Sequence, residues 1–367
     1  MLRTTLVLVL ICVQLPLAAA TRRRAVQHPP PVTVPAGLVT AAHQAAEAAL
    51  KAGVPAVQIA VSQGGQIIYS DAFGLADKES AIAATPRSVQ MVASITKQFT
   101  AAAILRLAER GALTLDDRIE KFLPELDTKG ATITLRQLLT HTSGVTAPLP
   151  NPQSQFTREQ LIALLNSQPL AFTPGTDWSY SNAGYMLLGH VIESITGRPY
   201  ADFIHSELAL PLGLLDTGVC GTSNLPVPDG YSFVQGTWIR TPAPNMSVPF
   251  AAGALCSTAS DLSRWSYLLA NGRVLLPASY ATMTTPARLA DDTVVGYGLG
   301  LYLPLSVVGH PAVYHDGLIA GFNTFLVYFP AHNMSIAVIS NAFPLPTGPY
   351  SSLAIGLAVA KAALPAP

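Results

Sequence analysis

Charge is scarce in this chain. Only 11% of its 367 residues are Asp, Glu, Lys or Arg, and the 21 acidic and 21 basic residues cancel. That balance gives a nucleic acid or other polyanion no footing and steers charged ligands little. Long apolar runs are missing too. Half of the residues are hydrophobic, yet beyond the N-terminus none forms the run of about 18 that a membrane-spanning helix needs. No Gly-x-Ser-x-Gly elbow occurs, which excludes the α/β-hydrolase arrangement. No His-Glu-x-x-His occurs, and His190 and Glu193, three apart on a helical pattern, are too few ligands for a catalytic metal. No glycine-rich phosphate loop occurs either. No metal and no cofactor are therefore expected.

Cysteine is limited to Cys12, Cys220 and Cys256. Cys12 lies in a leader-like segment, in which Arg3 precedes an apolar run from Leu6 to Leu17 and then Ala18, Ala19 and Ala20. A short basic region, an apolar stretch and a small-residue cleavage site define a secretory signal, so residues 1–20 are expected to be removed near Ala20. The expected location is secreted or periplasmic, with anchoring as the alternative if the leader is retained, a reading that Arg22, Arg23 and Arg24 favour. Export would permit a disulfide, but sequence alone leaves Cys220 and Cys256 either paired or as two free thiols.

Residues 21–36, with Pro29, Pro30, Pro31 and Pro35, suit an extended linker. Residues 37–365 form the expected catalytic domain. Leu38 to Lys51 is helical and alanine-rich, with Gly53 as its stop. Val57 to Val61 alternates like a half-buried strand, Gly64-Gly65 supplies a turn, and Gln66 to Ser70 returns. Ser94 to Arg110 is apolar around most of a helical circumference and so is expected to be buried. Between roughly 112 and 290, short helical patterns (135–139, 158–166, 183–196, 259–270) are broken by Pro and Gly, and 221–250 is loop-like. Gly321 to Phe329 and Met334 to Ser340 are strands, and 351–363 is a terminal helix. Strands at both ends with helices between predict an α+β class: an antiparallel sheet built from both termini, flanked by helices, with a mostly helical subdomain at 112–290.

Three motifs carry chemistry. In Ser94-Ile95-Thr96-Lys97, helical spacing puts the i and i+3 side chains on one face. A lysine amine desolvated there can take a serine proton. The first turn of a helix also favours developing negative charge. In Tyr180-Ser181-Asn182, a phenol can move protons beside an ammonium, and Asn182 can orient a substrate carbonyl or the lysine. In His315-Asp316-Gly317, the imidazole can hold a substrate carboxylate or assist proton transfer, and the glycine lets a substrate backbone approach an edge strand. Each motif alone also has a structural reading: a polar first turn, a helix cap, a packed histidine.

Together they resemble the serine β-lactamase-like hydrolases, the group of class C β-lactamases, D-alanyl-D-alanine carboxypeptidases and family VIII esterases. The resemblance spans roughly residues 38–360. It includes the Ala93–Thr100 stretch, Gly111-Ala112-Leu113-Thr114-Leu115-Asp116-Asp117 and Leu138-Leu139-Thr140-His141-Thr142-Ser143-Gly144. It implies a β-lactamase/transpeptidase-like fold, with Ser94 as nucleophile and Lys97 and Tyr180 sharing the general-base work. It implies substrate binding by Asn182, His315, Gly317 and Leu318, with the amides of Ser94 and Leu318 forming the oxyanion hole. His141 is implied to be structural. Class C β-lactamases carry Lys-Thr-Gly where this chain has His-Asp-Gly, and a neutral imidazole holds a carboxylate less firmly than an ammonium does.

The expected function is an exported serine hydrolase acting on a small ester, D-amino-acid amide or peptide through an acyl-enzyme. The alternatives are β-lactam hydrolysis, as main or side reaction, and a non-catalytic binding or scaffold protein. The loops near 145–175 and 221–250 are expected to set substrate choice.

Overall fold

The computed structural model describes residues 34–366 apart from 149, 223, 224 and 305. The leader-like segment and most of the proline-rich segment lie outside the described residues.

Elements at the two ends of the chain build the main sheet. Helix α1 (Leu38–Lys51) leads into strands β1 (Ala56–Gln63), β2 (Gln66–Asp77) and β3 (Ile82–Ala83). After the middle of the chain come β11 (Val313–Ile319), β12 (Phe322–Phe329), β13 (Met334–Ser340) and helix α10 (Ser352–Ala363). The six strands pair antiparallel in the order β11-β12-β13-β1-β2-β3. The N- and C-terminal halves join where Val57 lies opposite Ser340 and Ile59 opposite Val338. This is the α+β arrangement that the sequence pattern predicts.

Both faces of the sheet are covered. Leu38, Ala42, Ala46 and Ala49 of α1 and Ile355 and Val359 of α10 pack on Val57, Ile59, Val327, Ile336 and Val338. The other face packs through Ala60, Leu326, Ala337 and Ile339 against the larger core of the middle region. Strands covered on both sides become apolar throughout instead of alternating. That corrects the expectation of a half-buried β1. Gln58 points inward, where its amide nitrogen donates to Thr85 and Ser88 carbonyls and its oxygen accepts the Ala259 amide.

The middle of the chain holds β4 (Gln90–Met91), α2 (Thr96–Glu109), α3 (Leu135–Leu139), α4 (Arg158–Asn166), α5 (Asn182–Thr196) and α6 (Tyr200–Ile204). There follow β5 (Gly218–Val219), the hairpin β6 (Gly230–Val234) and β7 (Thr237–Thr241), α7 (Phe250–Gly253), β8 (Leu255–Ser257), α8 (Ala259–Ala270), α9 (Pro277–Met283) and the short pair β9 (Ala287–Arg288) and β10 (Val294–Val295). Helix α2 is buried nearly all round. Its Phe99 stacks on Trp265 of α8 at 3.8 Å, and the indole N–H donates to Gln98 Oε1 at 3.0 Å. No described helix is long and apolar enough to cross a membrane.

Two segments differ from expectation. Residues 230–241, read as loop, form a hairpin with Tyr231 opposite Arg240. Its turn, Gln235-Gly236, has both residues at positive φ, the geometry that suits a two-residue hairpin but is usually signalled by Asn-Gly or Asp-Gly. The His315-Asp316-Gly317 motif, read as lying just before the strand that starts at Gly321, lies within a strand of its own, β11, at the sheet edge.

Candidate active site

Ser94 sits in a tight 3-10 turn, Ala93–Ile95, that feeds α2. The turn is held from both sides. Val92 N donates to Leu255 O at 2.9 Å, Thr96 Oγ1 donates to Ala93 O at 2.6 Å, and Leu255 N donates to Thr96 Oγ1 at 3.1 Å. Ala93 takes φ +48°, a left-handed conformation that costs a non-glycine residue on the order of 1–3 kcal/mol. His141 and Phe250 are left-handed too, and both flank the same site. Such strain persists only where the surrounding structure over-determines it.

The strands beside this turn are pinned by a disulfide. Strands β4, β8 and β5 form a small sheet in that order. Cys256 lies opposite both Met91 and Gly218. Cys256 is bonded to Cys220, which decides the pairing the sequence left open.

Lys97 is fully buried. Its Nζ lies 3.0 Å from Ser94 Oγ, 2.8 Å from Asn182 Oδ1 and 2.8 Å from the Ala252 carbonyl oxygen. All three are neutral oxygens, so no anion in contact offsets the loss of water. Burial therefore drives the amine well below its ordinary pKa, with Asp316 pulling weakly the other way. Nζ also lies 4.8 Å from the centre of the Tyr180 ring. Burial pushes the Tyr180 phenol up, opposed by its hydrogen bond with Ser94. The two shifts act in concert, favouring a neutral amine and a neutral phenol around the Ser94 hydroxyl.

Tyr180 is placed by His141. The His141 carbonyl accepts the Ser179 amide at 3.0 Å, and its ring Nδ1 accepts the Ser181 amide at 3.1 Å. Nδ1 being the acceptor, the ring proton of neutral His141 sits on Nε2. Burial is the main cause that holds it well below the usual histidine range. Ser181 caps α5 through its side chain, which sets Asn182 at the helix start facing Lys97.

The third motif departs from expectation. His315 is 1% exposed. Its Nδ1 donates to the Asp316 carbonyl at 2.5 Å and its Nε2 accepts from Tyr297 Oη at 3.0 Å. Burial and the Lys97 charge lower its pKa to about 3. Both nitrogens are engaged and the ring is neutral, so a carboxylate anchor is not what this geometry offers; His315 serves as a wall behind the tyrosines. Gly317 has a packing task as well. A β-carbon there would collide with the Val92 carbonyl oxygen and lie 3.2 Å from Ser94 N. The glycine lets β11 lie directly on the nucleophile turn. Leu318 follows, 48% exposed, lining the same cavity as Ser94.

That cavity, about 270 Å³, is bordered by Ser94, Asn182, Leu318 and a group of prolines, Pro150, Pro152, Pro244 and Pro249, with Val248. No charged side chain among the described residues lines it. The prolines come from the two loop regions named as specificity determinants, but only the fold brings residues near 150 beside residues near 245. Ala252 as a third Lys97 partner had no sequence signal, because a backbone carbonyl is common to every residue.

The fold and this constellation are those of the serine β-lactamase-fold hydrolases. The chain belongs to the Beta-lactamase family, whose model matches residues 41–360. It is 29% identical over 309 residues to a penicillin-binding protein of Bacillus subtilis (strain 168), covering 77% of this chain and 67% of that one. Among solved structures it is similar to D-amino acid amidase from Ochrobactrum anthropi SV3 (26% identity, TM-score 0.78, 89% of this chain and 98% of that one). It is also similar to a D-stereospecific amidohydrolase from Streptomyces sp. (30% identity, TM-score 0.72, 86% and 96%).

Proposed function

We propose that this protein cleaves a small amide or ester bearing an apolar group, through an acyl-enzyme on Ser94, and that it acts outside the cytoplasm. The observation carrying the reading is Lys97 Nζ, buried without a carboxylate in contact and 3.0 Å from Ser94 Oγ. A lysine so placed is a base and not a structural cation.

In the proposed sequence Lys97 takes the Ser94 proton as Oγ bonds to the substrate carbonyl carbon. The amides of Ser94 and Leu318 receive the oxyanion, a kind of contact typically worth about 10²–10³ in rate. Tyr180, kept as a phenol, gives its proton to the departing nitrogen or oxygen as that bond breaks, and Lys97 then returns a proton to Tyr180. Water attacks the ester carbon with its proton passing to Lys97, and Ser94 leaves with that proton. The uncharged, proline-lined cavity suits an aromatic or aliphatic substituent. The similar D-amino acid amidase and D-stereospecific amidohydrolase support D-amino-acid amides as the first class to test. The neutral His315 makes β-lactams and other carboxylate-bearing ligands the weaker fit. The leader-like segment and the Cys220–Cys256 bond support export.

The test is labelling with a fluorophosphonate, with the adduct located by mass spectrometry, alongside turnover of D-phenylalanine amide, p-nitrophenyl butyrate, nitrocefin and a D-Ala-D-Ala peptide. Labelling at Ser94, lost in Ser94→Ala, with amide or ester turnover is expected. Folded protein that neither labels nor turns over any of the four would point to the scaffold reading instead.

A further inference from the structure

Asp316 plays no part in the chemistry above, and its setting is unusual. Its side chain is 38% exposed. The only positively ionisable group within 4.0 Å of its carboxylate among the described residues is the His315 ring, at the 4.0 Å limit and neutral. Desolvation raises its pKa, opposed by a backbone hydrogen bond. Alternation along β11 puts Tyr314, Asp316 and Leu318 on one face, and Leu318 lines the cavity at Ser94. Tyr302 stacks on Tyr314 with ring centres 5.1 Å apart and planes 19° apart. Tyr302 and Tyr314 both feel the Asp316 charge, and all three side chains are partly exposed. A half-buried carboxylate without a cation of its own, beside two tyrosine rings, is built to receive positive charge: the carboxylate supplies a charge-assisted hydrogen bond and the rings supply cation–π attraction.

We infer that Asp316, with Tyr302 and Tyr314, is a specificity site for a substrate ammonium group, and that it repels substrates carrying a carboxylate at the same place. The inference rests on the proposed Ser94 hydrolase and narrows its substrate to amides or esters with a free amine. Two residues of strand separate Asp316 from Leu318, about 7 Å. A carbonyl oxygen at the Leu318 amide therefore leaves an ammonium two or three bonds away within reach of Asp316.

The experiment compares three p-nitroanilides differing only at the amine: D-phenylalanine p-nitroanilide, its N-acetyl form and its N-succinyl form. The wild type is expected to favour the free amine over the acetyl form in kcat/KM by roughly ten- to hundred-fold, the range of a hydrogen bond to a charged group, and to discriminate further against the succinyl form. Asp316→Asn should collapse that ratio toward one, and Asp316→Lys should turn it toward the succinyl substrate. Ser94 labelling and Tm, measured on each variant, show whether the fold and nucleophile are intact. A ratio unchanged in intact Asp316→Asn, a wild-type preference for the succinyl form, or cleavage of none of the three by an enzyme that labels at Ser94 would each overturn the inference while leaving the hydrolase reading in place. Failure to label at Ser94 would remove both.

Discussion

His141 packs against Tyr180 with ring centres 4.4 Å apart, and its Nδ1 accepts the amide hydrogen of Ser181, the next residue. One neutral imidazole thus fixes both the plane of the phenol and the backbone that carries it. His141→Ala leaves the buried Ser181 amide without its acceptor, a loss of about 1–3 kcal/mol, and frees the phenol. We expect kcat to fall at least ten-fold with KM little changed. His141→Asn should recover much of both, because Asn tolerates the left-handed backbone and its oxygen can accept the same amide. Steady-state kinetics beside thermal melts decide it, and equal kcat for the two variants would remove the positioning role.

Lys97 sets the pH behaviour. Its folded pKa lies well below the ordinary lysine value, so the unfolded chain binds the extra proton between the two values. Stability should therefore rise with pH across that window, from the depressed folded pKa up to the unfolded value of about 10.4. Lys97→Met should lack this rise and be inactive. Denaturant melts of both proteins across the range check the sign, and parallel curves would place Lys97 outside the titration.

Tyr180→Phe removes the proton donor while keeping the ring against His141. Turnover should fall by about 10²–10⁴, the usual contribution of positioned proton transfer, with Tm close to wild type. Fluorophosphonate labelling of Ser94 should persist, since it needs only the nucleophile and its base. Near-normal turnover would take Tyr180 out of the mechanism.

Gly317→Ala tests the contact between β11 and the nucleophile turn. The added methyl meets the Val92 carbonyl, which is backbone and cannot rotate away. Overpacking of this kind costs about 1–3 kcal/mol. Turnover should drop more than stability, as the shift separates the Ser94 and Leu318 amides. A fully active variant would show that β11 can move without consequence.

Reducing the Cys220–Cys256 bond frees a loop with a sequence separation of 36, for which chain entropy gives about 3–4 kcal/mol of lost stability. Cys220→Ser with Cys256→Ser should melt lower by that amount, and wild type in reductant should match it. Since β8 pairs with the strand leading into Ser94, labelling of Ser94 should slow as well. An unchanged melt under full reduction would overturn this.

What the sequence by itself determined is local. Ser94 and Lys97 are three residues apart at the start of a helix, so helical geometry alone brings Nζ to Oγ, and the apolar circumference of 96–109 announces that the lysine is buried. The sheet from both termini was legible because its strands are β-branched and aromatic runs bounded by turn residues. Tertiary structure decided the rest, because the remaining contacts join residues far apart in sequence whose chemistry gives no local signal. Asn182 and Ala252 reach Lys97 across 85 and 155 residues. Cys220 meets Cys256 only because β5 and β8 are neighbours. His315 could have been a carboxylate ligand or a buried wall, and nothing in His-Asp-Gly distinguishes them; burial makes it neutral and leaves Asp316 as the charge beside the site. A periodic pattern reports which face is buried, but which partners share that burial is settled only when the chain closes on itself.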